Sequence, residues 1–413
     1  MKCDCDNPGL LPLEQALAKI HSTLKPLEET EEVPLLELAG RILAEDILSP
    51  IDVPGYDNSA MDGYALRFTD ISNTQHFLLV GSSFAGRPFN GQIGAGECIR
   101  IMTGALIPQG ADTVIMQENV SVEGQMISLN HPPKAGEAVR RRGEDICRGN
   151  PVLSAGRRLS PVDIGLIASV GLPTARVFRR IRVGLFSTGD ELRQPGEALD
   201  TGCIYDSNRP TLLALLAQMG AQINDYGVIE DDPEAIRQTF FKADAANDVV
   251  ITSGGVSVGE ADFTRDILTE IGDIGFWKLA IKPGKPLAFG RLSNSYFFGL
   301  PGNPVSSVVT FHQIALPSLA RLAGQNIPAK QRLSASATEA IRKRPGRTDF
   351  QRGRYQINTD GQLSVKPLPN QSSGVLSSIT QANCYIVLEN ERNEVNAGEN
   401  VTIEAFDAYL TAY

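Results

Sequence analysis

Three short segments of this chain join glycine to hydroxyl, acidic or proline residues in a way that suits anion binding. They are Ser187-Thr188-Gly189-Asp190-Glu191, Ser253-Gly254-Gly255-Val256-Ser257-Val258-Gly259 and Pro301-Gly302-Asn303-Pro304. Glycine lets backbone N–H groups approach a ligand, and the start of a helix favours negative charge. One such loop says little, because strand-to-helix turns need glycine anyway; three in one region point to a pocket. Lys278, Lys282 and Lys285 follow in the run Trp277 to Pro286. Were residues 277–282 extended, Lys278 and Lys282 would project to one face and suit an oxyanion; solvated surface lysines are the plain alternative. Asp190, Glu191, Asp231, Asp232, Glu260 and Asp262 crowd the same region. Beside phosphates, carboxylates hold Mg²⁺ and orient water, although Asp231-Asp232-Pro233 equally suits the first turn of a helix.

Other clusters are less telling. Arg140-Arg141-Arg142-Gly143-Glu144-Asp145 reads as a salt-bridged surface, and Asp57 to Tyr64 as a polar loop. There is no Walker P-loop, dinucleotide fingerprint or His/Asp/Ser arrangement. Six cysteines, with only Cys3 and Cys5 close-spaced, and four scattered histidines give no zinc pattern. A divalent metal here should be held by carboxylates.

The elements that must position these residues follow from patterning. Leu13, Leu17, Ile20 and Leu24 mark an amphipathic helix over 11–25, and Ser160-Pro161 with Gly171 bounds another over 160–171. Between them, residues 51–145 are rich in Gly and Pro, with short strands at Phe77–Val80, Cys98–Met102, Thr113–Met116 and Met126–Leu129 and a hairpin turn at Glu123-Gly124. This reads as a β domain inserted into a helical one. From about 179, strands at Arg182–Phe186, Gln222–Ile229, Asp248–Thr252, Phe276–Ala280, Leu287–Gly290 and Ser295–Gly299 mix with helices at 209–219, at 233–243 and after Pro304. That alternation predicts a mostly parallel, doubly wound sheet, whose ligands bind beyond the C-terminal strand ends. The three glycine segments fall at such ends. After about 328 the chain turns to strands again, with Asp360-Gly361 as a hairpin turn and later strands at Cys384–Leu388 and Val401–Glu404.

Bulk properties exclude other classes. The 413 residues are 42% hydrophobic and 21% charged, ordinary for a globular protein. Lysine and arginine number 38 against 48 acids, a formal charge of −10, which argues against general nucleic-acid binding. No apolar run reaches the ~20 residues of a membrane span, and the acidic Met1 to Asp6 start is no signal peptide. A cytoplasmic chain is expected.

Together the segments resemble the MoeA-type molybdopterin molybdenumtransferases, which include the E domains of gephyrin and its plant counterpart. The matching stretches are Pro54–Tyr64, Arg100–Ala105, Arg140–Asp145, Phe186–Leu192, Ile204–Arg209, Ser253–Asp262, Trp277–Pro286, Gly299–Val305 and Asp349–Gly353. The resemblance implies a homodimer of four-domain subunits: a split helical domain (1–50 with 146–178), an inserted β domain (51–145), a MogA-like α/β domain (179–328) and a C-terminal β-barrel (329–413). It also implies roles by position. Ser187, Gly189, Gly254, Gly255 and Ser257 would line the pterin-nucleotide pocket. Glu191, Asp231 and Asp262 would organise Mg²⁺ and water. Lys278, Lys282, Pro301, Arg352 and Ser373 would lie near molybdate or phosphate oxygens, and Asp62, Thr103 and Asp145 would come from the partner subunit.

The implied reaction joins molybdate to the dithiolene of adenylylated molybdopterin, with Mg²⁺-assisted release of AMP. An upstream adenylyltransferase would supply the substrate and is a possible partner. Two other readings compete. An adenylyltransferase shares the α/β fold, but its loop reads Gly-Gly-Thr-Gly where this chain has Gly254-Gly255-Val256-Ser257. A non-enzymatic scaffold would have no use for the acids and cations kept here.

Overall fold

The computed structural model describes residues 9–255, 263–327 and 330–411. The chain divides into two compact units. One takes Met1–Glu31, Gly40–Ile42 and Val177–Tyr413, and the other Glu32–Ala39 and Leu43–Arg176.

The larger unit is built on a seven-stranded sheet. Its strands in chain order are β1 (Leu10–Leu11), β2 (Arg182–Thr188), β3 (Gln222–Ile229), β4 (Val249–Ser253), β5 (Asp273–Leu279), β6 (Pro286–Arg291) and β7 (Tyr296–Leu300). They lie in the order β1-β5-β6-β7-β4-β2-β3. β3, β2, β4 and β7 pair in parallel, and β6 is antiparallel to both its neighbours.

Side-chain alternation along these strands makes the sheet doubly wound. Val183 and Leu185, Val249 and Ile251, and Tyr296 and Phe298 share one core cluster, while Phe186, Val250 and Phe297 belong to the other. The first face is covered by α1 (Leu13–Thr23) and α2 (Asn208–Met219), and the second by α3 (Pro233–Ala246) and α4 (Phe263–Ile271). α5 (Pro304–Thr310) also lies on the first face and runs through a π-turn, Phe311–Ala315, into α6 (Leu316–Leu322). The amphipathic face of α1 is therefore explained by the α/β core: Leu13, Ala16, Ile20 and Leu24 pack with Ile181 and Val183. On the second face Phe240 stands edge-on between Phe186 and Phe297, at centroid distances of 5.0 and 5.6 Å.

The C-terminal strands close a five-stranded barrel. Thr348–Ile357 pairs with Leu363–Pro367, which pairs with Leu333–Ala337, then Asn400–Ala405 and Cys384–Leu388, and the last returns to Thr348–Ile357. Closure removes the free sheet edge. The extended run expected over 277–282 is broken. β5 ends at Leu279, and Ile281–Lys282 leaves the large sheet to pair with Thr348 and Asp349 at the barrel. Lys278 and Lys282 therefore sit in different sheets, and the single-face argument for them fails.

The smaller unit holds a six-stranded sheet in the order Thr113–Met116, Gly63–Leu66, Glu97–Ile101, His76–Ser83, Met126–Leu129, Val120–Glu123. The turn at Glu123-Gly124 is present, with Gly124 at φ +64. The helix Pro161–Ser169 starts on Ser160 as read, through a reciprocal capping box with Asp163. Among the described residues no helix is long and apolar enough to cross a membrane.

Candidate active site

The parallel strands end level with one another. Ser187 of β2 is in register with Ser253 of β4, which is in register with Leu300 of β7. Just beyond, the Gly254 N–H donates to the Leu300 carbonyl at 3.1 Å. Gly254 and Gly255 take φ values of +91 and +65, a region that disfavours side chains. A Cβ on Gly255 would lie 2.5 Å from Thr264 Oγ1, so glycine is needed there on two counts. At the end of β2 a Cβ on Gly189 would sit 2.6 Å from Glu191 Oε2, so the missing side chain is what lets that carboxylate fold back over the turn. The Ser187 hydroxyl is fully buried and has no hydrogen-bond partner among the described residues. An orphan polar atom at a strand end fits a ligand or water that completes it.

Two neighbouring acids join Glu191. The Asp231 N–H donates to Asp190 Oδ1 at 3.0 Å. Burial pushes the Asp231 carboxyl up from its ordinary value, and the charges of Asp190 and Glu191 push it further. Asp232 instead performs the capping task, accepting from the Ala235 N–H at 2.8 Å. Among the described residues no group of three or more acids, histidines or cysteines closes into a metal cage. Mg²⁺ does not require one, since it is commonly held by one or two carboxylates plus substrate phosphates and water. A mutually repelling, solvent-facing set of Asp190, Glu191 and Asp231 fits such an open site. Ser257, Glu260 and Asp262 lie outside the described residues.

The cations are gathered at the barrel. A cavity of about 700 Å³ is lined by Lys282, Lys285, Arg342, Lys343, Arg344 and Arg347, with Asp349, Glu394 and Leu10. Lys282 Nζ is 3.2 Å from Asp349 Oδ2 and stays half-exposed. Lys343 is tied to three backbone carbonyls, of Arg344, Asn390 and Arg392, and builds the wall. Lys278 is exposed on β5 and does not line this cavity.

Arg352 is fully buried, and burial lowers its pKa. Its guanidinium donates to Ser378 Oγ and to the carbonyls of Phe350 and Ser372. Those bonds fix the 372–373 loop, whose Ser373 carbonyl accepts from the Val305 N–H at 2.9 Å. Arg352 thus shapes the site through Ser373.

α5 borders both the Pro301-Gly302 loop and the Lys282–Lys285 turn. Its first turn carries the Pro301-Gly302 loop and receives Ser373, while a Cβ on Gly284, between Lys282 and Lys285, would lie 2.4 Å from Thr310 Oγ1 at its far end. Gly254 adjoins Pro301 through its bond to the Leu300 carbonyl, and the Gly284 turn between Lys282 and Lys285 packs against α5 beside Ser306 and Thr310.

One residue of this site was not singled out by residue type or spacing. Asn208 Nδ2 donates to Ser253 Oγ at 2.8 Å and to the Gly302 carbonyl at 2.7 Å. Its only sequence signal was its place in the run Ile204 to Arg209.

In the smaller unit, Asp62 and Thr103 meet: the Thr103 N–H and hydroxyl both donate to Asp62 Oδ1 at 2.8 Å. Those bonds, with the more distant Arg100 charge, hold the Asp62 carboxyl below its ordinary range. Arg141 and Arg142 pair with Asp57 and Asp52 at 2.7 and 2.6 Å, as the salt-bridged reading expects. Asp145 is exposed and is anchored through its N–H to the Val53 carbonyl.

Comparison with known proteins covers the whole architecture. Residues 11–171 match the MoeA N-terminal region (domain I and II), 184–321 a probable molybdopterin binding domain, and 334–406 the MoeA C-terminal region (domain IV). A molybdopterin molybdenumtransferase of Haemophilus influenzae is 48% identical over 97% of this chain and 100% of its own length. Another, from Nostoc sp., is 35% identical over 91% of this chain and 88% of its own. The solved structure of a molybdopterin biosynthesis MoeA protein from Pyrococcus horikoshii OT3 is 30% identical, covers 96% of this chain and all of that one, and superposes with a TM-score of 0.84.

Proposed function

Because this chain belongs to the MoeA family of molybdopterin molybdenumtransferases, we propose that it inserts molybdate into adenylylated molybdopterin and releases AMP. The observation that supports the proposal is the presence, in one compact unit, of glycine-lined strand ends and a cationic cavity at the barrel. The first suits a nucleotide, since backbone N–H groups and a helix start accommodate phosphate. The second suits a small dianion, which Lys282, Lys285 and Arg347 would neutralise.

Molybdate and the electron-rich dithiolene repel one another in water. Lys282 and its neighbours remove that penalty for the oxyanion, and Ser187, Gly254 and Gly255 hold the nucleotide. Fixing both reactants supplies a proximity advantage of up to about 7–11 kcal/mol. Glu191 and Asp231, with Asp262, would hold Mg²⁺, which would supply positive charge to offset the adenylyl phosphates. Asp190 raises the local negative charge that draws the cation in.

In this reading the protein works in the cytoplasm as a homodimer, and an upstream adenylyltransferase delivers its substrate. Asp62, Thr103 and Asp145 serve the site of the second subunit. Lys278 would attract oxyanions at the rim and Pro301 would shape the loop.

The test is anaerobic incubation with adenylylated molybdopterin, Mg²⁺ and molybdate, following AMP and metal-bound pterin together. Equal release of both is expected, with Lys282→Ala and Asp231→Asn each strongly impaired. AMP released without metal on the pterin would refute the proposal.

A further inference from the structure

We propose that Asn208 is a positioning residue for the pterin nucleotide, locking the Ser253–Gly255 and Pro301–Gly302 loops into one ligand-facing arrangement. This rests on the functional reading above. β4 and β7 are neighbours whose ladder ends at Ser253 and Leu300, and among the described residues the Gly254-to-Leu300 bond is the last backbone link between them. Beyond it two glycines face each other: among the described residues a Cβ built on Gly302 would meet Gly254 Cα, at 3.8 Å. Neither glycine offers a side chain to hold the other loop.

Asn208 supplies that hold from a third element. It opens α2, and its Nδ2 reaches Ser253 Oγ and the Gly302 carbonyl at 2.8 and 2.7 Å. A carbonyl only accepts, so the amide nitrogen must face Gly302, which settles the side-chain orientation without ambiguity. Both amide hydrogens are then committed, one to each loop.

α2 does not depend on this clamp. Its start is capped by Asp206 Oδ1, which accepts from the N–H groups of Asn208 and Arg209. Arg209 is buried and paired with Asp206 and Asp225, and Leu212, Leu215 and Leu216 anchor the helix in the core. Losing the Asn208 amide should therefore disturb the loops far more than the fold.

Asn208→Asp tests this with no change in size. A carboxylate cannot donate to Gly302 and is repelled by its carbonyl. The Ser253 hydroxyl can donate to the carboxylate, so we expect KM and Kd for adenylylated molybdopterin to rise about three- to tenfold, the range for the one lost hydrogen bond, with kcat falling less. Molybdate affinity, measured alone by calorimetry, should stay within twofold of wild type. Ser253→Ala keeps the Gly302 bond and should give a smaller rise; added to Asn208→Asp it should cost less than the product of the two effects. The Kd measurement omits molybdate, so it judges Asn208 even if the wild type fails to turn over, an outcome that would count against the functional reading instead. A Kd within twofold of wild type for Asn208→Asp overturns the proposal. So does a fall in kcat with KM unchanged. If Asn208→Asp does not fold, Ser253→Ala decides, and an unchanged Kd there is equally fatal.

Discussion

Alanine at Gly255 should damage the protein in two separable ways. The residue sits at φ +65, where an L side chain costs about 1–2 kcal/mol. Its Cβ would stand 2.5 Å from Thr264 Oγ1, 2.9 Å from Thr264 Cβ and 3.0 Å from Thr188 Oγ1. Thr264 is itself buried on α4 and has nowhere to turn. Overpacking of this kind costs about 1–3 kcal/mol, so Gly255→Ala should lose about 2–5 kcal/mol in all. The assay is urea unfolding followed through Trp277, the only tryptophan, which lies on β5 of the same sheet. If the loop swings away to escape the clash, the stability loss shrinks, but nucleotide affinity must then fall. Adding Thr264→Ala removes the nearest atom and should recover part of the loss, though the contact to Cβ remains. Gly302→Ala, with no positive φ and nothing closer than 3.8 Å among the described residues, should stay within about 0.5 kcal/mol of wild type. Unchanged unfolding together with unchanged nucleotide binding for Gly255→Ala would show that the loop is not built as described.

Phe240→Ala should cost about 3–5 kcal/mol by the same fluorescence assay, because a ring buried between Phe186 and Phe297 leaves a cavity; a loss under 1 kcal/mol would contradict that packing. Burial alone would raise the Asp248 carboxyl, but Arg179, then the Arg182 backbone N–H and guanidinium, hold it below its ordinary value. Its stabilisation is therefore complete above the unfolded carboxyl value of about 3.9 and is lost as pH falls through the lower folded value. Asp248→Asn should trail wild type at pH 7 and converge on it in acid, as thermal melts across pH would show; a constant gap would exclude this ionisation. Finally, if Asp62 serves the partner's site, Asp62→Ala and Lys282→Ala subunits, each inactive alone, should regain about a quarter of wild-type activity when refolded together in equal amounts. No recovery in verified mixed dimers would place both residues in one subunit's site.

The strand ends were legible because buried parallel strands read as unbroken apolar runs. Val249 to Thr252 led directly to the Ser253–Gly255 loop, and Asp232-Pro233 marked the start of α3. Other features depend on contacts between segments far apart in sequence. Nothing local to Lys282 says that the chain leaves one sheet for another two residues after Leu279, because that exchange is set by pairing with Thr348 and Asp349. Arg352 entered the expected site only through the family resemblance, and its bonds to Ser378 and the Ser372 carbonyl depend on a segment 20 to 26 residues further along the chain. Asn208 was hidden for a related reason. An asparagine near a helix start is ordinary capping chemistry, but here Asp206 caps the helix, which frees the Asn208 amide for loops 45 and 94 residues away.

The placement of charge explains how a chain of formal charge −10 can accommodate two anionic reactants. A uniformly basic surface would attract them, but it would also attract nucleic acid. Here cations are concentrated in one barrel cavity, while carboxylates stand at the strand ends as Asp190, Glu191 and Asp231. The acids would repel a bare phosphoanhydride, so the nucleotide half of the reaction should depend on a divalent cation to reverse the sign of that corner. The oxyanion half should need no such help, because Lys282, Lys285 and Arg347 already line that wall.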